Sequence, residues 1–136
     1  MAIEPGDLCG GCLCGAIRYR TPLPKLTPTL CHCASCRRAA GAHAVGLFTV
    51  DRERTVIEGQ VTEFQSSAKV VRGFCGRCGS ALTYLHADWP ADLSFTIATL
   101  DDPSWIAPVD HTWMADAAGW DIPSDGLPQF LHDRPP

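Results

Sequence analysis

The sequence predicts a mainly β domain, and three observations carry that prediction. Short runs rich in Val, Ile, Thr, Phe and Tyr alternate apolar with polar residues, the pattern of a strand with one buried face. Gly, Pro and Asp punctuate the runs at close intervals, which marks turns. Helical periodicity is sustained over no more than a turn or two. With 136 residues and 46% apolar content, residues 1–136 read as one domain large enough to bury a core.

Taken in order, "AIRYR" (16–20) sets Ile17 and Tyr19 against Arg18 and Arg20, so one face is buried and the other wet. "VGLFTV" (45–50), "TVIEG" (55–59), "VTEFQ" (61–65) and "KVVRGF" (69–74) follow, then "ALTYLH" (81–86), "LSFTIATL" (93–100) and "VDHTWM" (109–114). All seven suit a half-buried pleated surface. The single helix is expected at "SCRRAAG" (35–41), with Ser35 as N-cap and Gly41 as the stop. The last stretch carries proline at 123, 128, 135 and 136, which excludes a long helix or a central strand. It should lie over the surface, anchored by Trp120 and Phe130. Trp89, Trp105, Trp113 and Trp120 are expected in the core or as pocket walls, because large aromatics dominate burial in a small domain.

Charge narrows the partners. Eleven basic residues are scattered against fifteen acids for a net charge of −4, which argues against nucleic acid, since duplex binding needs clustered Lys and Arg. No apolar run is long enough to span a bilayer, and "MAIEPGDLCGG" lacks the basic start and apolar run of a secretory signal. The expected compartment is the cytoplasm, where eight cysteines point to metal or catalysis before disulfides. Cys12 and Cys14, like Cys31 and Cys33, are one residue apart, and bridging such neighbours strains a disulfide.

Seven of the cysteines fall into "CLC" (12–14), "CHCASC" (31–36) and "CGRC" (75–78). A C-x-x-C pair on a tight turn aims two sulfurs at one ion but leaves a tetrahedron half built. The glycine-flanked "GGCLCG" is its natural complement, so Cys12, Cys14, Cys75 and Cys78 are expected to form a closed, structural zinc site. Such a site closes a loop of about sixty residues, and much of its binding energy becomes folding energy. The competing redox reading of C-x-x-C lacks the βαβ context of a thioredoxin-like motif.

Cys31, Cys33 and Cys36 fit a second ion: i and i+2 face one side of extended backbone, and Cys36 returns from the first helical turn. His32 then faces away and reads as a hydrogen-bonded supporting or core histidine. Three protein thiolates with an exchangeable fourth position distinguish catalytic from structural zinc. Three thiolates leave such a site near −1, so it favours an incoming soft thiolate over an activated hydroxide. Arg37 and Arg38 follow directly and could offset that charge or hold a substrate carboxylate; the alternative is a solvated helix face.

These residues resemble a known family. "GGCLCGAIRYR", "CHCASCRRAAGA", "FCGRCGSAL" and the late "TLDDP…HTW…GWDI…DGLPQF" are similar, in order and spacing, to the GFA/CENP-V family, named for the glutathione-dependent formaldehyde-activating enzyme. The resemblance runs from about Leu8 to Phe130 and makes that span the core of the domain. It implies an antiparallel β-tent fold shared with zinc-containing methionine sulfoxide reductases, a carbon–sulfur lyase activity and two zinc ions per chain. Carried over by position, Cys12, Cys14, Cys75 and Cys78 match the family's structural ligands, and Cys31, Cys33 and Cys36 its catalytic-zinc ligands. Cys9 lies outside the family pattern.

The leading functional expectation is an enzyme that adds a small thiol, glutathione among the candidates, to an aldehyde such as formaldehyde, or catalyses the reverse cleavage. Arg37 would be the charge partner, and Asp102 or His111 the proton handler. "LDDP" (100–103) is also a turn signal, and His111, in an alternating segment beside Trp113, also reads as a structural histidine. Asp101, Asp116, Asp121 and Asp125 complete the acidic candidates. A non-catalytic zinc module, its second site closed by Cys9 or a partner, is the alternative from another class. A methionine sulfoxide reductase would need Cys9 as a free nucleophile.

Overall fold

A computed structural model describes residues 7–136; the first six residues of the expected 1–136 domain lie outside the described residues. Among the described residues ten strands form two sheets, with one short helix between the third and fourth strands. The smaller sheet has the order β1 (Leu8–Gly11), β2 (Arg18–Thr21), β5 (Val56–Glu58). The larger runs β10 (His111–Thr112), β3 (Leu26–Cys31), β4 (Val45–Asp51), β9 (Asp92–Thr96), β8 (Ala81–His86), β7 (Val70–Cys75), β6 (Val61–Gln65). The class is the mainly β one expected from the sequence. All pairings are antiparallel except β10 with β3, which run parallel.

The core lies between the two sheets. Ile17 and Tyr19 from β2 and the turn before it meet Phe48 and Val50 of β4, Leu82 of β8, and Leu93 and Phe95 of β9. The alternation in "AIRYR" works as read: Tyr19 is fully buried and stacks on Phe95 with ring centroids 4.1 Å apart. Its hydroxyl is satisfied by Thr99 Oγ1 at 2.8 Å, as a phenol in such a place requires.

Several local expectations are corrected. The helix α1 (Ala34–Ala40) is capped by Cys33, whose Sγ accepts from Cys36 N at 3.3 Å, and not by Ser35; Gly41 ends it at φ 64°. The strand expected over 93–100 stops at Thr96, because Thr99 Oγ1 donates to Thr96 O at 2.9 Å and draws Ile97–Thr99 into a 3-10 turn. The strand expected over 109–114 shrinks to His111–Thr112, since Trp113 turns into the left-handed region at φ 58°. β1 and β3 were not anticipated.

The C-terminal segment does lie over the surface, but its anchor is backbone. Phe130 N donates to His111 O at 2.8 Å, and Met114 N donates to Phe130 O at 3.0 Å. Trp89 and Trp105 stand 60% and 49% exposed, against expectation, whereas Trp113 packs on the core and Trp120, though 73% exposed, lines a surface cleft. No helix among the described residues is long and apolar enough to cross a membrane.

Candidate metal centres and the adjoining cavity

Two turns build the first sulfur group. Cys12 and Cys14 sit on the turn between β1 and β2, which Gly15 closes at φ 81° while its N–H donates to Cys12 O at 3.2 Å. Cys75 ends β7, and Gly79, also at φ 81°, donates to Cys75 O at 2.8 Å, folding Cys78 back beside it. Both glycines hold a conformation that a side chain would strain. Ser80 joins the turns: its Oγ accepts from Leu13 N at 2.9 Å and lies 3.2 Å from Cys78 Sγ.

The four sulfurs lie within 4.8 Å of one another. Cys12 Sγ is 3.6 Å from Cys14 Sγ, which is 3.8 Å from Cys75 Sγ. Sulfurs about 2.3 Å from one tetrahedral centre are spaced by about 3.8 Å, so this group fits a zinc ion. Hydrogen bonds from the Ser80 hydroxyl and N–H bring the Cys78 thiol down to about 5, toward the thiolate that metal binding needs.

The second group comes from β3 and α1. Cys31 ends the strand, Cys33 caps the helix and Cys36 comes from its first turn, and their sulfurs again lie within 4.8 Å of one another. Cys31 and Cys36 are buried; Cys33 is half-buried. Among the described residues no fourth Cys, His, Asp or Glu joins this group, and Cys9, buried on β1, belongs to neither. Hydrogen bonds from the Cys31 and Cys36 thiols hold the Cys33 thiol far below its usual range, whereas the contact with Cys33 pushes Cys31 up.

The cation touching this cluster is one that the sequence did not single out. Arg72, on β7, donates Nη1 to Cys36 Sγ at 3.5 Å and Nε to Ser66 Oγ at 3.2 Å, and its guanidinium lies over the Tyr84 ring at 5.2 Å. Arg37 instead turns back on the backbone and donates Nε to His32 O at 3.3 Å. Asp102 Oδ1 accepts from Ser104 N at 2.9 Å and caps a 3-10 turn on the surface.

His111 is buried between two partners: Nδ1 lies 2.9 Å from His32 Nε2 and Nε2 lies 2.8 Å from Asp125 Oδ2. His32, facing away from the sulfurs as its neighbours' alternation requires, lies 3.2 Å from Asp121 Oδ2 through Nδ1. Burial holds His32 below its usual range against the pull of Asp121. Asp116 supports the helix by accepting from Ala34 N at 3.1 Å. The seven cysteines are thus brought together in two groups, while Arg37, Asp102 and His111 make their contacts elsewhere.

A cavity of about 370 Å³ opens beside Cys36, walled by Val45, Leu47, Phe64, Arg72 and Tyr84 among others. Burial pushes the Tyr84 hydroxyl up, and the charges of Cys36, Cys33 and Cys31 add to the shift. Trp113 packs against the small buried cluster of Cys31, Cys36 and Val45. Its Nε1 donates to Asp133 Oδ1 at 2.9 Å.

Fold and site define a mainly β domain with two cysteine groups able to hold metal, and Cys36 of the three-membered group lines a cavity. The chain belongs to the glutathione-dependent formaldehyde-activating enzyme (GFA) family, whose family model matches residues 7–116. A protein of Halomonas elongata, named "Putative glutathione-dependent formaldehyde-activating enzyme", is 34% identical over 91 residues, covering 60% of this chain and 57% of the relative. The chain thus spans a little over half the length of that relative. A crystal structure of a Rhodobacter sphaeroides protein matches with a TM-score of 0.64 at 22% identity, covering 77% of this chain and all of that one. At that identity the likeness speaks for the fold alone.

Proposed function

We propose that this protein is a zinc-dependent carbon–sulfur lyase that joins a small thiol to an aldehyde, or cleaves the adduct, at the three-cysteine cluster. The observation that carries this reading is the inequality of the two sulfur groups. Four cysteines complete one, whereas three form the other, and the cavity opens beside Cys36 of the three. In this reading Cys12, Cys14, Cys75 and Cys78 hold a structural zinc, and Cys31, Cys33 and Cys36 hold a catalytic one. Zinc bound by three thiolates keeps an exchangeable position that lowers the pKa of an incoming thiol.

The chain's own residues supply the rest. The cavity walls Val45 and Leu47 present apolar surface beside the cluster and limit water at the reacting pair. Arg72 offsets the negative charge on Cys36 through its Nη1 contact. In the addition, the thiolate sulfur attacks the carbonyl carbon and one carbon–sulfur bond forms. The carbonyl π pair moves to oxygen, which takes up a proton to give the hemithioacetal hydroxyl; cleavage reverses each step. Tyr84, lining the same cavity, is positioned to handle that proton. His111, expected from the sequence to share this role, supports the site through His32. All eight cysteines are free, which suits a reducing compartment such as the cytoplasm.

The test counts zinc in protein purified without added metal, then titrates thiols into the cobalt-substituted protein. Two ions per chain and a thiol-dependent change in the cobalt bands are expected. A spectrum indifferent to every thiol overturns the proposal.

A further inference from the structure

Beside the three-cysteine cluster, the cavity's chemistry says what kind of partner it takes. Its walls come from the last turn of α1, from β4 and from the outer strands of the large sheet, and they are mostly apolar. Among the described residues that line it, Arg72 is the one charged side chain; no Asp, Glu or Lys contributes. Arg72 is itself committed to Cys36, Ser66 and the Tyr84 ring. The hydroxyl of Thr96, another lining residue, is spent on Ala81 O at 2.9 Å and Thr99 Oγ1 at 3.1 Å.

Glutathione suits such walls poorly. It carries two carboxylates and an ammonium group, and each needs a partner of opposite charge if it leaves water. The ammonium finds no acid here, and the carboxylates find one guanidinium already in use. At about 370 Å³ the cavity also lies at the small end of ligand sites, roughly 300–1,000 Å³.

We propose that the cavity selects a thiol with an uncharged apolar body, aryl or branched alkyl, in preference to glutathione. The sulfur would reach the cluster at Cys36, and the body would lie along Val45, Leu47 and Phe64. This rests on the open-position reading of the cluster given above and narrows its substrate class. A second, basic cleft formed by Arg37, Arg38, His43 and Trp120 shares none of the cavity's lining residues. It is the place where a peptide thiol's carboxylates would have to be held if the proposal were wrong.

Calorimetric titration of the zinc-loaded full chain with phenylmethanethiol, 2-mercaptoethanol and glutathione decides the matter. The aryl thiol should bind roughly tenfold or more tightly than either of the others, from the apolar area it buries. Phe64→Ala, on an exposed strand, should weaken the aryl thiol several-fold more than it weakens 2-mercaptoethanol. Ala40→Trp, at the exposed end of the helix, should narrow the mouth and abolish the preference. If glutathione binds as tightly as the aryl thiol, or if its binding is lost in Arg38→Ala, the selectivity proposal is wrong while the open position stands. If no thiol binds, the open-position reading falls and takes this one with it.

Discussion

Arg72 Nη1 lies 3.5 Å from Cys36 Sγ, joining strand β7 to the first turn of helix α1 across thirty-six residues of sequence. A guanidinium placed over the Tyr84 ring and bonded to a sulfur fixes both the direction and the charge of that sulfur's surroundings. Arg72→Met should therefore lower zinc affinity at the three-cysteine cluster by roughly 10- to 100-fold, the usual cost of removing a partner of a metal ligand. Affinity at the four-cysteine group should not change. Competition with a chromogenic chelator, which resolves the two ions, measures both.

The two sulfur groups should also separate in stability. Cys78→Ser breaks the link between the turn after β1 and the end of β7, and about 3 kcal/mol or more of folding stability should go with it. Cys36→Ser should release the other zinc at much smaller cost, since Cys31, Val45 and Trp113 still pack there. Thermal unfolding paired with metal analysis distinguishes the cases. Equal destabilisation by the two substitutions would contradict the division into structural and catalytic ions.

A pH effect follows from Arg18 and Asp101, paired at 2.8 Å between β2 and the turn after β9. The Arg18 hydrogen bond holds the Asp101 carboxyl below its ordinary range. A carboxyl depressed on folding contributes stability above its unfolded pKa of about 3.9, and loses it as pH falls through the folded value. Both side chains are about two-fifths exposed, at 40% and 43%, so screening limits the contribution to about 0.5 kcal/mol. Asp101→Asn should lower the urea midpoint slightly at pH 7, and the gap should close in acid.

His111→Ala should cost about 1–3 kcal/mol, because it leaves the buried His32 Nε2 without its partner. His111→Gln, which keeps a polar group there, should recover part of that. Denaturant unfolding of the two variants gives the comparison.

What could be read from the sequence was what local spacing encodes. Cys12, Cys14, Cys75 and Cys78 separate from Cys31, Cys33 and Cys36 because sulfurs must converge over a few residues, and strand alternation placed Tyr19 inward and His32 away from its neighbours. What escaped depends on distant approach. "KVVRGF" marks Arg72 as an outward residue of a strand and cannot say that α1 comes to rest against it. His111 meets His32 only because β10 runs beside β3. β1 and β3 escaped because Gly10 and Gly11 in "LCGG" and Pro28 in "LTPTLC" are residues depleted in strands. Cysteine is not an expected helix cap, so Ser35 took the role that Cys33 fills.

The parallel pairing of β10 with β3 orders events during synthesis. Once residue 78 has left the ribosome, every sulfur of the four-membered group has been made. The edge that flanks Cys31 is different, because His111 and Thr112 pair with its strand and are themselves tied to residues near 128–130. Until residues 111–130 have been made, the strand that carries Cys31 lacks its β10 neighbour on that edge. Metal loading of the two groups should therefore be sequential in the cell, with the four-sulfur group complete first and the three-sulfur group supported only after the later segment has emerged.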